Sequence, residues 1–194
     1  MGALNTAKQE LRRVVKTTLS NVSHESIRAQ TQIVLKALFS LPEYQAARRV
    51  GVYLSMPSGE ISTGSIVHDA LQSSKAVYVP FLRRTYTGPR GSSTAIMDMV
   101  SLHSLGDYQS LQPDRLGIPS LPPASVAGRL DCLHGLNDGT QPGLDVIVMP
   151  GMAFDTALSR LGHGKGYYDA FLQRYRNALD AGKDDAPLMP LLGT

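Results

Sequence analysis

The sequence predicts an α/β fold, a three-layer α/β/α sandwich around a mostly parallel sheet. Three observations carry this. Residues 50–56 and 76–82 are β-rich runs separated by a helical segment at 66–71, and strands joined by such a crossover pair in parallel. Residues 144–149 (LDVIVM) form a largely apolar run ended by Pro150, the pattern of a strand buried on both faces. The segment from Tyr168 to about Ala181 then has helical spacing.

The remaining elements follow in chain order. Thr6 with Gln9 three residues later reads as a capping box, and Leu11, Val14, Val15 and Leu19 continue at helical spacing. A second helix starts at the cap candidate Ser23, carries Ile27, Ile33, Val34 and Leu38, and ends at Pro42. Beyond the β-α-β unit, residues 83–93 read as a polar, glycine-containing loop and 94–102 as a further strand. Residues 113–142, rich in Pro and Gly, are expected to wrap the surface irregularly, and long loops of this kind carry function or disorder.

With 194 residues the chain suits a single domain spanning 1–194. Its formal charge of +3 comes from scattered Lys and Arg, which gives no electrostatic footprint for nucleic acid. Cys132 is the lone cysteine, which fits a reducing compartment. No apolar run approaches the ~20 residues of a membrane helix. A soluble, monomeric, cytoplasmic protein acting on small molecules is expected; the basic amphipathic start (Lys8, Arg12, Arg13, Lys16) raises a mitochondrial location as the alternative, and Gly2 formally matches a myristoylation pattern.

The most informative segment is Arg160 to Asp169, RLGHGKGYYD. Gly162, Gly164 and Gly166 strip side chains from a short stretch, so backbone N–H groups can turn toward an anion. The following helix N-terminus favours negative charge, and Lys165 adds a mobile positive one. A P-loop needs Ser or Thr directly after its Lys, whereas Gly166 stands there; a dinucleotide fingerprint needs its third glycine one residue later. The alternative is a plain strand-to-helix turn, which would not need Arg160, Lys165 and Asp169.

Other candidates lie outside this loop. Lys8 and Arg12, four apart on one helix face, could grip polyphosphate or simply be solvated. Glu60 follows the strand at 50–56, at the carboxyl end where ligands of parallel sheets bind, and could take an amino or pterin-like donor, or serve as a helix-terminal acid. Asp169 could complement the helix dipole or hold magnesium beside bound phosphates. Met56, Met97, Met99 and Tyr53 could line a slot for a flat ring or be ordinary core. The five histidines do not pair at zinc-ligand spacing, and there is no nucleophile elbow.

Taken in order, these pieces resemble the 5-formyltetrahydrofolate cyclo-ligase family: KQELR (Lys8 to Arg12), LSM with Glu60, MDM (Met97 to Met99), GIP (Gly117 to Pro119), and DVIVMPGMAFD (Asp145 to Asp155) leading into the glycine loop. The resemblance implies an ATP- and Mg2+-dependent closure of 5-formyltetrahydrofolate to 5,10-methenyltetrahydrofolate through a phosphorylated formyl group, with release of ADP and phosphate. By motif position, Lys8, Gln9, Glu10, Leu11 and Arg12, with Arg160, Leu161, Gly162, His163, Gly164, Lys165, Gly166, Tyr167 and Tyr168, would hold ATP. Arg12, Leu54, Glu60, His163, Gly164, Lys165, Gly166 and Tyr167 would contact the folate. Asp169 would hold magnesium, and Lys165 and Arg160 would stabilise the transferring phosphoryl group.

The chain also departs from that pattern. His163 stands where many members carry Arg, and Leu116 where some carry a stacking aromatic. The family's last strand and an acidic segment with a second magnesium carboxylate are expected to be missing after Thr194, with Asp184 or Asp185 as substitute acids; a truncated, catalytically impaired folate- or nucleotide-binding protein is therefore the alternative function. A sugar-phosphate isomerase or acyl-CoA transferase is disfavoured for want of a suitable acidic motif.

Overall fold

The computed structural model describes residues 2–87, 92–181 and 192–193. Helix α1 (Gly2–Ser20) is followed by α2 (His24–Ser40), α3 (Pro42–Ala46), strand β1 (Arg49–Val52), α4 (Gly64–Gln72), β2 (Ala76–Thr87) and β3 (Ser92–Leu102). Next come α5 (Leu105–Gln109), the short strands β4 (Gln112–Pro113) and β5 (Pro119–Ser120), and β6 (Val146–Met149). A hairpin of β7 (Ala153–Phe154) and β8 (Arg160–Leu161) precedes α6 (Tyr167–Ala181), and β9 (Leu192–Gly193) is the last described element.

The main sheet has the order β3-β2-β1-β6-β9. Strand β1 pairs in parallel with both β2 and β6, and β9 in parallel with β6; β3 alone runs antiparallel, against β2. Side-chain direction alternates with the pleat, and both directions are buried. Val50, Val52, Val77, Val79, Val146 and Val148 face a core closed by Leu35 and Leu38 of α2 and Ile66 and Val67 of α4. Tyr78, Met97, Met99, Ile147 and Met149 face the other way, onto Phe171 and Tyr175 of α6. Helices on both faces of a mostly parallel sheet give the expected three layers.

Several local expectations are corrected. Thr6 lies inside α1, which starts at Gly2, so Thr6 is not its N-cap; Ser23 does cap α2, accepting from Ser26 N at 3.1 Å. Pro42 opens α3, because its fixed φ and missing N–H suit a first helical position. Residues 83–87 and 92–93 are hairpin arms and not loop, paired through Arg83↔Ile96 to Thr87↔Ser92. Exposed residues such as Arg84 and Thr94 leave the ladder no apolar face to signal it. β1 ends at Val52, short of the expected Met56, although Tyr53 N still donates to Val148 O at 3.2 Å. Met97 and Met99 lie in the core on the α6 face and Tyr53 in the core on the opposite face, so they line no common slot.

The excursion at 113–142 is tied down by charge. Arg129 bonds both Asp107 carboxylate oxygens, at 2.6 and 2.8 Å, and the carbonyl oxygens of Ser101 and Ser125 at 2.8 Å. Similarly, the buried Asp98 accepts from Arg83 of its own hairpin at 2.9 Å and from Arg174 of α6 at 3.0 Å.

Candidate active site at the carboxyl ends of the parallel strands

Chain segments leaving β1 and β6 meet at one end of the sheet. After β6 the chain passes Pro150 and turns through the β7–β8 hairpin, closed by Met152 N to Leu161 O at 2.8 Å, so the glycine loop follows this hairpin and not the buried strand directly. Gly164 and Gly166 adopt φ of +90° and +69°, the left-handed region that disfavours a Cβ. Gly166 O accepts from Ala170 N at 2.9 Å, so a residue without a side chain stands at the start of α6. The first-turn N–H groups of α6 have no intrahelical partner and receive no side-chain cap from Gly166.

Arg12 reaches this loop from α1, donating from Nε to Gly162 O at 2.9 Å. Its guanidinium lies against the open side of Gly164, where a Cβ would stand 3.3 Å from Nε. On the loop's other side His163 Nε2 lies 3.6 Å from Glu60 Oε1. Glu60 is held in turn by Met56 N, which donates to Oε2 at 2.8 Å. The charged residue after β1 and the glycine loop before α6 therefore touch.

Arg160 is largely committed within the protein. Its side chain, 13 % exposed, bonds Asp169 Oδ1 at 2.6 Å and Pro150 O at 3.0 Å, and lies over the Tyr168 ring. Asp169 remains 75 % exposed at the start of α6. Burial, with Tyr53 and Glu60 nearby, pushes the Tyr168 hydroxyl above the ordinary tyrosine range. Lys165 is exposed, and among the described residues it makes no ion pair. Tyr167 is half-buried against the core of the α6 face.

The other expected site residues are placed as follows. Leu54 is buried in the core on the α2 and α4 face. Lys8, Gln9 and Leu11 are exposed along α1, and Glu10 turns to Arg13 at 2.6 Å. Leu161 is the last residue of β8. Asp184 and Asp185 lie outside the described residues, and among those described no three metal-capable side chains cluster. Leu116 is exposed in the turn between β4 and β5, where Gly117 backs onto Pro57.

Beside Glu60 opens a cleft of about 200 Å³. Leu19, Val22 and Ile27 form one part of it, and Pro150, Met152 and Phe154 another. Sequence reasoning missed the contribution of the α1–α2 junction, because nothing in a helix-to-helix turn signals a ligand; Phe154 stood within a quoted motif but had no assigned role. A larger hollow of about 440 Å³ opens at the opposite end of β2, near Lys75 and His103, remote from the glycine loop. None of the described helices is long and apolar enough to cross a membrane.

Fold and site together define an α/β enzyme with an anion-suited loop and a half-apolar cleft at the carboxyl ends of its parallel strands. A sequence profile described as the 5-formyltetrahydrofolate cyclo-ligase family matches residues 4–191. A probable 5-formyltetrahydrofolate cyclo-ligase of Caenorhabditis elegans is 35% identical over 90% of this chain and 77% of its own length. The 5-formyltetrahydrofolate cyclo-ligase of Saccharomyces cerevisiae is 30% identical over 87% of this chain and 77% of its own. The NMR structure of Aquifex aeolicus 5,10-methenyltetrahydrofolate synthetase superposes with a TM-score of 0.58 and 29% identity, over 86% of this chain and 72% of that one. The chain belongs to the 5-formyltetrahydrofolate cyclo-ligase family and is a ligase of folate one-carbon metabolism.

Proposed function

We propose that this chain uses ATP to close 5-formyltetrahydrofolate to 5,10-methenyltetrahydrofolate through a phosphorylated formyl group. The observation that carries this reading is the 3.6 Å approach of His163 to Glu60, which joins the glycine loop to the cleft. A triphosphate on the loop and a heterocycle beside Glu60 would then present their reacting ends to each other.

The formyl oxygen attacks the γ-phosphorus and ADP departs, converting a poor leaving oxygen into a phosphate. N10 then attacks the formyl carbon, its proton is lost, and the carbon–oxygen bond breaks to release inorganic phosphate. Such a sequence asks the protein mainly for positioning and charge neutralisation. Arg12 and the glycine N–H groups hold the phosphates, Glu60 orients the ring, and Lys165, exposed and without an ion pair among the described residues, meets the charge developing on the transferred group. Arg160 holds Asp169 and Pro150 in place, a positioning role that its committed guanidinium favours over direct contact.

Asp169 fits a magnesium ion carried mainly by phosphate oxygens, since a single exposed carboxylate beside the loop is a hard oxygen donor. When bound, the ion neutralises phosphate charge. We place the enzyme in the cytoplasm, in keeping with its one buried thiol.

Incubation with 5-formyltetrahydrofolate, ATP and magnesium should raise the near-ultraviolet absorbance of the methenyl product. Absence of that signal at high enzyme concentration overturns the reading; tight binding of 5-formyltetrahydrofolate without turnover would leave a folate-binding protein instead.

A further inference from the structure

Gln30, on the exposed side of α2, lines the cleft together with Glu60. Its Nε2 donates to Ser26 Oγ one turn earlier at 3.0 Å, which leaves its carbonyl oxygen as the acceptor without a partner among the described residues. The other polar side chains of the cleft are already engaged: Tyr53 Oη donates to Ile61 O at 2.8 Å, and Glu60 Oε2 takes the Met56 N–H. Two acceptors thus border the half-apolar slot, the ionic Oε1 of Glu60 and the neutral carbonyl of Gln30.

We propose that Gln30 is a specificity-determining residue: its side-chain carbonyl accepts an N–H of the flat heterocycle that enters the cleft between Leu19 and Phe154. This rests on the folate reading of the same site. Leu19 and Phe154 border the slot while 36% and 38% exposed, so a ring slid between them buries apolar surface on both. At about 200 Å³ the cleft is smaller than the ~300 Å³ at which whole-ligand pockets begin, and holds a ring fragment, with the rest of the substrate running outside. In such surroundings a ring N–H left without an acceptor loses its hydration unrepaid, so an acceptor at the rim selects reduced, donor-rich rings over those lacking the N–H.

The full-length chain is tested as wild type, Gln30→Met and Gln30→Glu. Calorimetry gives Kd for 5-formyltetrahydrofolate, and steady-state kinetics give KM for each substrate and kcat. Gln30→Met should raise the folate Kd and KM about tenfold, the worth of one neutral hydrogen bond, with the ATP KM and kcat within about threefold of wild type. Gln30→Glu keeps an acceptor and a partner for Ser26, and should recover folate binding to within about threefold of wild type. Folate binding unchanged in Gln30→Met, or lost equally in Gln30→Glu, overturns the assignment to Gln30 alone. A wild-type chain that fails to bind 5-formyltetrahydrofolate overturns the functional reading and this proposal with it.

Discussion

Arg12 Nε donates to the carbonyl oxygen of Gly162 at 2.9 Å, joining the first helix to a loop 150 positions away. The bond uses one of the five guanidinium N–H groups, and Nη1 lies against the open side of Gly164. It also fixes α1, which has no buried side chain among its described residues and is otherwise held weakly.

Replacement of Arg12 by Ala should therefore raise the KM for ATP by about 10- to 100-fold, the range of a lost charge-assisted hydrogen bond. Arg12→Lys keeps the charge but not the fork, and should recover only part of the loss. Initial rates over an ATP series decide it; an ATP KM equal to wild type in Arg12→Ala would remove Arg12 from the site.

Lys165→Ala should lower kcat about 10²- to 10³-fold, as expected when a group aimed at developing charge is removed. Because Lys165 is exposed and makes no ion pair within the described structure, the melting temperature should not change. Single-turnover measurements would separate this from an effect on binding.

The Arg129–Asp107 pair predicts an acid-sensitive contribution to stability. Bonding to Arg129 holds the Asp107 carboxyl down at about 2, below its unfolded value near 4. A folded pKa that is depressed gives stabilisation that is complete above about pH 4 and lost as the pH falls toward 2. Arg129→Met should cost about 3 kcal/mol at neutral pH, because it leaves a poorly exposed carboxylate unpaired, and should flatten this part of the pH dependence. Urea unfolding at several pH values measures both effects.

Gly117→Ala should destabilise by about 1–2 kcal/mol through its left-handed backbone, since its φ is +80°. The new Cβ would also stand 2.9 Å from Pro57 Cγ, pressing on the loop that carries Glu60. A raised folate KM alongside the lower melting temperature is the expected pair of results, and a stability loss alone would uncouple the two loops.

The sequence revealed what burial and backbone demand dictate. Val146 to Met149 could be read as a central strand because both of its faces are covered, and the glycine loop because its conformation needs residues without Cβ. Polar hairpin arms such as Arg83 and Arg84 were not legible, for no apolar alternation marks a ladder exposed on its faces. Neither was the buried Asp98, whose partner Arg174 comes from a helix 76 positions away. At the candidate site, Glu60 and His163 were each expected singly but their approach was not, since pairing across a sheet end leaves no local pattern. Leu54, expected at the ligand, is buried in the core cluster on the α2 and α4 face.

Strand order carries a cost during biosynthesis. β1 lies between β2 and β6, so Val50 pairs with Val77 on one side and with Val146 on the other. While a ribosome makes the intervening chain at roughly 5–20 residues per second, one edge of β1 stays bare for about ten seconds. A nascent chain in which β1 and β2 had already paired would display an unpaired edge carrying Val50 and Val52 for that interval, the kind of edge that recruits other chains.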